Sequence, residues 1–524
     1  MWKKKVVDLF LCIVGIAIMA YIFRFDYGYF FNENVNFKYE LEEFTLNQKV
    51  EDFEKWYNNI ICSVPFLNEV EKQYGINFAS RKEYYLSEIK KAKTNVEFYG
   101  VMKAISKDVV SFHTDVCFPM YSNLRELNCY NSDEILSQIG TKSKMDAWWN
   151  EFAQAFEEYK EVNWFNVTYI DGKYMVKEAT LKNEYKNMQG YELIKINDDE
   201  AEKYIVDKIS IYSIHYDYSL DKAYREAYTF NDSVGEPVQV VWKNENGEQI
   251  KQELFLNINI ELMASYGYLF GKEYDYYNSV SEPSIIMESD DENELEYIKI
   301  NNFTNNSGKK LKSYIKETTY EKIVIDLRDN YGGQIKYAMK YLYPALYHEN
   351  TSFIYSWKVP NTIGNKKVTN RFFNKIAYLI DKDEKFYFYE KILEFVGEAE
   401  DNKEIYYLVG PDTGSAADTY ISMIKEKGLG IIVGANTGGE GMGESYVCDK
   451  MGNSSLVYIY YPSMPVQDKT NLCCGTEPDI YINQTYEDYI LQEKCKVEGV
   501  AMQYDSRIQY DTVLKWIIRQ EQKE

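Results

Sequence analysis

The sequence has little glycine and proline. With 28 Gly and 10 Pro among 524 residues, it is neither collagen-like nor dominated by linkers. Hydrophobic residues make up 45% and charged residues 27%, which is usual for globular proteins, and the length allows about two to four domains. No cluster of Lys and Arg follows residues 3–5, and 59 basic against 82 acidic residues give a formal charge of −23. We therefore expect no nucleic-acid partner.

Cysteine and histidine are also sparse. Apart from Cys12, the sequence has seven cysteines, at Cys62, Cys117, Cys129, Cys448, Cys473, Cys474 and Cys495. This number is odd and too low for a disulfide scaffold, although one or two disulfides remain possible. No C-x-x-C or H-E-x-x-H pattern occurs, and the three histidines are scattered. We therefore expect no metal site, no metallohydrolase chemistry and no cofactor.

The first thirty residues have the pattern of an export segment. Three lysines at positions 3–5 precede an apolar run, Val6–Phe23, which only Asp8 interrupts. Such a helix spans about 27 Å, slightly less than the ~30 Å hydrocarbon core, so its length fits a signal peptide or a membrane anchor. Ile18 is bulky where a cleavage site requires a small residue, which favours a transmembrane anchor over residues 1–24.

The charges around this segment predict its orientation. The lysines place the N-terminus in the cytoplasm and the remainder outside the cell membrane. Cleavage of the segment would instead yield a secreted protein. Cys12 lacks the preceding small residue of a lipoprotein signal, so lipidation is not expected.

Two different periodicities follow the export segment. Apolar residues recur at three- and four-residue spacing in residues 50–56, 84–105 and 145–159, which predicts a helical domain over residues 25–165. Short strands with turn signals then extend to about Asn257. Within them, residues 190–206 predict a strand, a turn and a short helix. This order is similar to the middle of a PDZ domain, although any hairpin with a following helix has it, and we predict a PDZ-like domain over residues 166–260.

Strands and helices alternate from about Ser284, which indicates an α/β core with parallel strands and crossover helices over residues 261–524. The strands are predicted at residues 296–303, 322–327, 405–409 and 430–434, and the helices at 309–318, 334–347 and 416–427. Ligands usually bind at the carboxyl ends of such strands.

Two of these strand ends carry unusual loops. The first contains Gly332 and Gly333, and paired glycines let backbone N–H groups face an anion or oxyanion, although a plain strand-to-helix turn explains them equally well. The second contains Ser415 between small residues at the start of a helix, where the Ala416 N–H lies at the positive end of the helix dipole. Ser415 suits a nucleophile in acyl transfer, or it caps the helix.

A nucleophilic serine needs a base, and only His113, His215 and His348 are available. His113 is predicted at the end of a helix, between hydroxyl groups and the Asp115 carboxylate, which could orient its ring. His348 is predicted at another helix end as a capping partner, and His215 lies among tyrosines, where a surface position is expected.

Four motifs in a fixed order carry a family resemblance. They are Asp326-Leu327-Arg328-x-Asn330-x-Gly332-Gly333, Thr413-x-Ser415-Ala416-Ala417-Asp418, Gly434-x-x-Thr437-x-Gly439-x-Gly441 and Gly475-Thr476-Glu477-Pro478-Asp479. Together they resemble the tail-specific, or C-terminal-processing, serine peptidases, a family that includes the tricorn core. The resemblance covers about residues 95–485. It implies a crotonase/ClpP-like α/β spiral, a PDZ-like module that admits a peptide chain, and a peptide or unfolded protein as substrate.

The resemblance also implies roles for individual residues. Ser415 matches the nucleophile, and the oxyanion hole would be the N–H of Ala416 with that of Gly332 or Gly333. One branch of the family uses a Lys in the third motif, where this chain has Glu440, so a Ser–Lys dyad is excluded.

In the other branch the base is a histidine that precedes a threonine, which matches His113. The acid of that branch lies just before the fourth motif, where this chain has none. Glu440 is therefore the candidate third member, with Glu444 and Asp115 as alternatives.

These residues predict a membrane-anchored serine endopeptidase outside the cytoplasm. The replaced lysine and the missing acid also allow a second hypothesis, a non-catalytic peptide- or ligand-binding protein on the same scaffold. The sequence indicates neither a substrate preference nor an oligomeric state.

Overall fold

The computed structural model describes most of the chain after residue 40. The described residues are 41–117, 147–148, 151, 164–180, 188–208, 210–229, 237–255, 284–362, 378–441, 447–466 and 474–521, without 112, 189, 402 and 502. Among them, no helix is both long and apolar enough to cross a membrane. The predicted anchor over residues 1–24 and most of the predicted helix over residues 145–159 lie outside the described part.

Four helices form the N-terminal part: Leu46–Ser63 (α1), Leu67–Tyr74 (α2), Lys82–Lys91 (α3) and Asn95–Lys107 (α4). The helical pattern over residues 84–105 is confirmed and consists of two helices, because α3 ends at Lys91 and Thr94 caps the start of α4. The Thr94 side chain accepts the Glu97 N–H in a capping box. The helices enclose Trp56 and Phe98, and Tyr458 from much later in the chain completes the same core.

Short strands form the next module, after a two-residue strand, Asp115–Val116 (β1). Its elements are Trp164–Ile170 (β2), Lys173–Thr180 (β3), Glu192–Ile196 (β4), Asp199–Glu200 (β5), Ala201–Lys208 (α5), Ser210–Asp217 (β6), Lys222–Thr229 (β7), Pro237–Lys243 (β8) and Gln249–Phe255 (β9). The order β2-β3-β4-β8-β9 forms one antiparallel sheet, with β5 paired to β4, and β6 and β7 form a hairpin. The strand, turn and helix predicted over residues 190–206 are thus confirmed.

A six-stranded sheet follows, with α/β alternation as predicted. Its elements are Ile285–Asp290 (β10), Leu295–Ile300 (β11), Asn305–Glu317 (α6), Lys322–Asp326 (β12), Glu404–Val409 (β16), Ala416–Lys427 (α9), Ile431–Gly434 (β17) and Ile480–Tyr481 (β21). The strand order is β10-β11-β12-β16-β17-β21, and every pair except β10–β11 is parallel. The helix predicted over residues 334–347 is Ile335–Tyr337 (α7), a π-helical turn at Ala338–Leu342, and Tyr343–Leu346 (α8).

Three further groups of elements were not predicted. Thr351–Pro360 (β13), Tyr378–Lys382 (β14), Phe386–Phe395 (β15) and Met464–Pro465 (β20) form an antiparallel sheet. Its first three strands are inserted between β12 and β16, and β20 comes later in the chain. Val447–Lys450 (β18) and Val457–Tyr460 (β19) pair with each other, and β19 pairs with β1. The chain then continues into Tyr486–Val497 (α10), Tyr504–Tyr510 (α11) and Thr512–Glu521 (α12).

The central sheet is covered on both faces. One face packs against α6 and α9 around Leu311 and Tyr420, and the other packs against α12 around Leu514. The strands end at one level, because Asp326 lies beside Leu408 and the next residue, Val409, lies beside Gly434. The loops after β12, β16 and β17 therefore meet at one edge of the sheet.

The described cysteines form no disulfide. Cys117, Cys448, Cys474 and Cys495 are free and buried, and Cys62 is free and exposed. Cys129 and Cys473 lie outside the described residues.

Candidate active site

Backbone hydrogen bonds join the three loops at this edge. The Gly414 N–H donates to the Asn330 carbonyl at 3.0 Å, and the Ser415 N–H donates to the Gly439 carbonyl at 2.7 Å. The loop that carries Ser415 is therefore held from both sides, by the loop after β12 and by the loop after β17.

Ser415 lies at the start of α9 but does not cap it. Its φ of 51° and ψ of −119° are strained for a residue with a side chain, and its hydroxyl makes no capping hydrogen bond. A capping serine has extended backbone angles and accepts an N–H from the first turn of the helix. The sharp strand-to-helix turn is instead the geometry that exposes a nucleophilic hydroxyl.

The glycine loop lies beside Ser415 and the nitrogen of the next residue. A Cβ built on Gly332 would be 2.7 Å from Ser415 Cβ and 2.9 Å from the Ala416 nitrogen, so the glycine loop directly faces the serine. The Gly332 N–H already donates to Asn330 Oδ1 at 2.8 Å. Among the hydrogen bonds of the described residues, the Ala416 and Gly333 N–H groups donate none. The Ala416 N–H, next to Ser415, is therefore available to an oxyanion, and the Gly333 N–H is unengaged in the facing glycine loop.

His113 lies in the turn between α4 and β1 and not at the helix end predicted for it. Its ring is half-buried and packs edge-on against Tyr461, with 4.9 Å between ring centroids. Burial lowers the pKa of His113 to about 4, so the imidazole is neutral at pH 7 and able to accept a proton.

Glu440 is linked to the histidine segment through Ser111. The Ser111 hydroxyl donates to Glu440 Oε2 at 3.0 Å and accepts the His113 backbone N–H at 3.2 Å. Glu440 is 2% exposed and follows Gly439, whose carbonyl binds the Ser415 N–H. Glu440 thus links the serine loop to the histidine turn, two segments that are far apart in sequence.

The alternative acid Asp115 differs from Glu440 in its partners. Asp115 forms an ion pair with Lys103 at 2.5 Å and lies 3.9 Å from Lys107. Burial raises the pKa of Asp115, but the lysines outweigh it and hold the pKa below its ordinary value. Glu444 lies outside the described residues.

The central part of the chain matches a known family. Residues 294–482, which contain Ser415 and both glycines, match the model of peptidase family S41. The central part of the chain is thus identified as a peptidase S41 domain. It is therefore a serine-type peptidase, a hydrolase. No curated protein sequence matches the chain.

Solved structures support the fold of this S41 peptidase over most of its length. Mature CPAF complexed with lactacystin has a TM-score of 0.52 and 12% identity, covering 87% of this chain and 99% of that chain. A CPAF mutant has a TM-score of 0.55 and 10% identity, covering 90% of this chain and 98% of that chain. At such identities the likeness shows the fold alone.

The other histidines of the S41 peptidase lie elsewhere. His215 is half-buried in β6, and His348 is exposed just after α8. Within the described ranges, no group of three His, Cys, Asp or Glu side chains is arranged to hold a metal ion.

Asp418 is a member of this site to which the sequence analysis gave no role. It is fully buried in the first turn of α9 and accepts hydrogen bonds on Oδ1 from the hydroxyls of Thr437 and Thr476, the latter at 2.8 Å. These hydrogen bonds tie the serine helix to the loops of the third and fourth motifs. The sequence shows a carboxylate three residues after the serine, but it does not show that the threonines of the later motifs bind this carboxylate.

Asp418 makes stability depend on pH. Burial raises its pKa to about 7, and the threonine hydrogen bonds oppose this rise only in part. Between about pH 4 and 7 the folded protein therefore holds a proton that the unfolded chain has lost, so the free energy of unfolding contributed by Asp418 falls as pH rises. From pH 5 to pH 8 we expect the stability of wild type relative to Asp418→Asn to decrease by about 2–3 kcal/mol.

Denaturant unfolding of both proteins at the two pH values measures this difference. The same substitution at Asp505, which is exposed on α11, is the control. A difference between wild type and Asp418→Asn that is constant with pH would show that Asp418 is already ionised at pH 5.

Gly332→Ala is expected to block the site sterically. The added Cβ would lie within 3 Å of both Ser415 Cβ and the Ala416 nitrogen, at a φ of +116°. Either the serine or its neighbouring N–H must move, and loss of one oxyanion donor typically lowers kcat by about 10²–10³-fold. We expect a decrease of at least this size in peptide hydrolysis.

Gly428→Ala is the matched control, because Gly428 also has a positive φ, +62°, with nothing within 4 Å of an added Cβ, at the far end of the serine helix. It carries the backbone strain without the contact with the serine. If Gly332→Ala and Gly428→Ala lose the same fraction of wild-type activity, backbone strain at the positive φ is responsible and the contact with Ser415 is not.

Proposed function

We propose that the chain is a membrane-anchored serine endopeptidase of the tail-specific type that acts outside the cytoplasm. Ser415 is the proposed nucleophile and His113 the proposed base. The observation that carries the proposal is the strained turn at Ser415, which places the serine against the glycine loop. The N–H groups of Ala416 and Gly333 are unengaged there.

In the proposed reaction, His113 accepts the Ser415 hydroxyl proton while Oγ attacks the carbonyl carbon of a peptide bond. The negative charge that develops on the carbonyl oxygen is bound by the N–H groups of Ala416 and Gly333. The imidazolium then returns its proton to the leaving amine, the C–N bond breaks, and an acyl ester remains on Ser415. Water, deprotonated by the same imidazole, hydrolyses this ester and restores the serine.

Gly333 is proposed as the second oxyanion donor in place of Gly332. The resemblance left both glycines open, and the Gly332 N–H is engaged by Asn330 Oδ1. The role of Gly332 is then to lack a side chain, since any Cβ there would meet Ser415.

Glu440 is proposed as the acidic third member. Its carboxylate is buried and hydrogen-bonded to Ser111, which binds the backbone of His113. A buried carboxylate near the base would stabilise the imidazolium that forms during the reaction. Its contact with Ser111 also orients the turn that carries the histidine.

The proposed roles of the β2–β9 module and of the N-terminal segment are consistent with a polypeptide substrate outside the cytoplasm. The antiparallel module β2–β9 is proposed to act as a PDZ-like peptide-binding domain, and residues 1–24 are proposed to anchor the protein in the membrane. The chemistry of the site requires an extended peptide whose carbonyl reaches Ser415, and no cofactor enters the reaction.

Labelling of the full chain with a fluorophosphonate tests the proposal. We expect the probe to modify Ser415, identified by peptide mass spectrometry, and an unfolded protein to be cleaved by the same preparation. The exposed Ser352 on β13 is the internal control and should stay unmodified. A chain that binds peptides but neither reacts with the probe nor cleaves the substrate would support the binding-protein hypothesis instead.

A further inference from the structure

Arg328 lies in the loop after β12 and contacts the loop that carries Ser415. It has no role in the peptide hydrolysis proposed above. It lies two residues before Asn330, and its Nε and Nη2 donate to Oδ1 and Oδ2 of Asp326 at 2.9 and 2.6 Å. Its aliphatic part lies against the start of the serine loop, because a Cβ built on Gly410 would be 3.7 Å from Arg328 Cγ.

The other edge of this guanidinium binds Asp511, which is 183 residues farther along the chain. Nη1 donates to Oδ1 at 2.9 Å and Nη2 to Oδ2, so the contact is bidentate. Asp511 Oδ1 also accepts the N–H groups of Val513 and Leu514, both at 3.1 Å, and thereby caps α12. One carboxylate therefore fixes both the last helix and the arginine.

The surroundings of this contact are buried and balanced in charge. The side chains of Asp326 and Asp511 are 1% and 3% exposed. Arg507 of α11 lies 3.9 Å from Asp326, so two guanidinium groups face two carboxylates. Burial raises the pKa of Asp326, but Arg328 outweighs it and leaves the pKa well below its ordinary value.

Asp511, which caps α12, and Arg507 of α11 lie after residue 482, beyond the part that matches the family model. Helix α12 is nevertheless part of the core, since Val513, Leu514 and Ile517 pack against the same sheet as Val324 and Leu408. The close packing of this core gives the Asp511 carboxylate a fixed position relative to β12 and its loop.

We propose that Asp511 is a positioning residue for the oxyanion-binding loop, residues 327–333. Asp511 holds Arg328, and Arg328 fixes the loop that presents the Gly333 N–H to Ser415. The inference rests on the proposed function, because it assigns the contact to the catalytic geometry of the Ser415 site. Peptidase activity thus depends on the C-terminal helices as well as on the family motifs.

Asp511→Asn tests this inference in the full chain. Asparagine has the same size and also caps helices well, so α12 is retained while the charge that binds Arg328 is lost. A displacement of ~1 Å at reacting groups can cost about 10²-fold in rate, and we expect a decrease in kcat of this order with little change in KM. Hydrogen exchange is expected to become faster at the amides of residues 327–333 and to stay unchanged in β13 and β15.

Asp505→Asn is the matched control, because Asp505 is exposed in the same C-terminal segment and, within the described residues, no hydrogen bond or ion pair joins it to Arg328. It should retain the wild-type kcat and the wild-type rates of hydrogen exchange.

An unchanged kcat in Asp511→Asn would overturn the inference. Faster hydrogen exchange spread evenly over the sheet would overturn it too, because it indicates a structural role alone. If wild type neither cleaves peptides nor reacts with the fluorophosphonate, the proposed function fails. Hydrogen exchange at residues 327–333, compared between wild type and Asp511→Asn, then shows separately whether Asp511 positions this loop.

Discussion

Ser415→Ala is expected to lower kcat for peptide hydrolysis by about 10⁶-fold, the loss that is typical when a catalytic serine is removed. The variant has no hydroxyl to form the acyl ester, whereas the N–H groups of Ala416 and Gly333 remain. Substrate binding should therefore persist and KM should change little. Alanine has the same Cβ as serine at the strained φ of 51°, so the free energy of unfolding should also change little.

Steady-state kinetics and thermal unfolding of the purified full chain check this expectation. Ser352→Ala is the matched control, since it makes the same chemical change at an exposed position of β13. Hydrolysis by Ser415→Ala at more than a few per cent of the wild-type rate would remove Ser415 from the role of nucleophile.

His113→Ala is expected to have an effect of similar size, because the serine and its base act as a unit. In wild type, burial holds the pKa of His113 at about 4, and only the neutral ring can accept the serine proton. The value of kcat/KM should therefore rise with pH through about 4 and be constant near neutral pH. A histidine with its ordinary pKa would place this rise near pH 6.5.

A pH profile of kcat/KM for wild type, together with single-pH kinetics of the variants, measures both effects. His348→Ala is the control, because His348 is exposed just after α8. Full activity of His113→Ala would exclude His113 as the base. An inflection near pH 6.5 in wild type would indicate that the ring is exposed to water in the free enzyme.

Local pattern predicted much of the central sheet. The helix predicted over residues 416–427 has the observed bounds, and the strand predicted over residues 405–409 differs by one residue. The strand is an apolar stretch between Glu404 and Gly410, and the helix ends at Gly428 in the left-handed conformation, so both ends are encoded nearby. The break between α3 and α4 was missed, although Thr94 and Glu97 form a capping box that is visible in the sequence.

The antiparallel sheet from Thr351 to Phe395 was also missed, although it carried a signal. Phe353, Tyr355 and Trp357 alternate with more exposed residues along β13, which is the period of a strand with one buried face. The C-terminal helices were not predicted either, yet they supply Asp511 to the loop of the first motif.

The sequence by itself determined the candidates: one serine at the start of a helix, one histidine beside a threonine, and a pair of glycines after a buried strand. Only the tertiary structure gives contacts that favour one of their alternative roles over another. The positive φ of Ser415 excludes a helix cap, and Asn330 engages Gly332 so that Gly333 remains available. Glu440 meets Ser111 across 329 residues, and Arg328 meets Asp511 across 183. Spacing along the chain encodes hydrogen bonds within a turn or a helix, whereas these contacts exist only because the folded sheet brings distant loops to one edge.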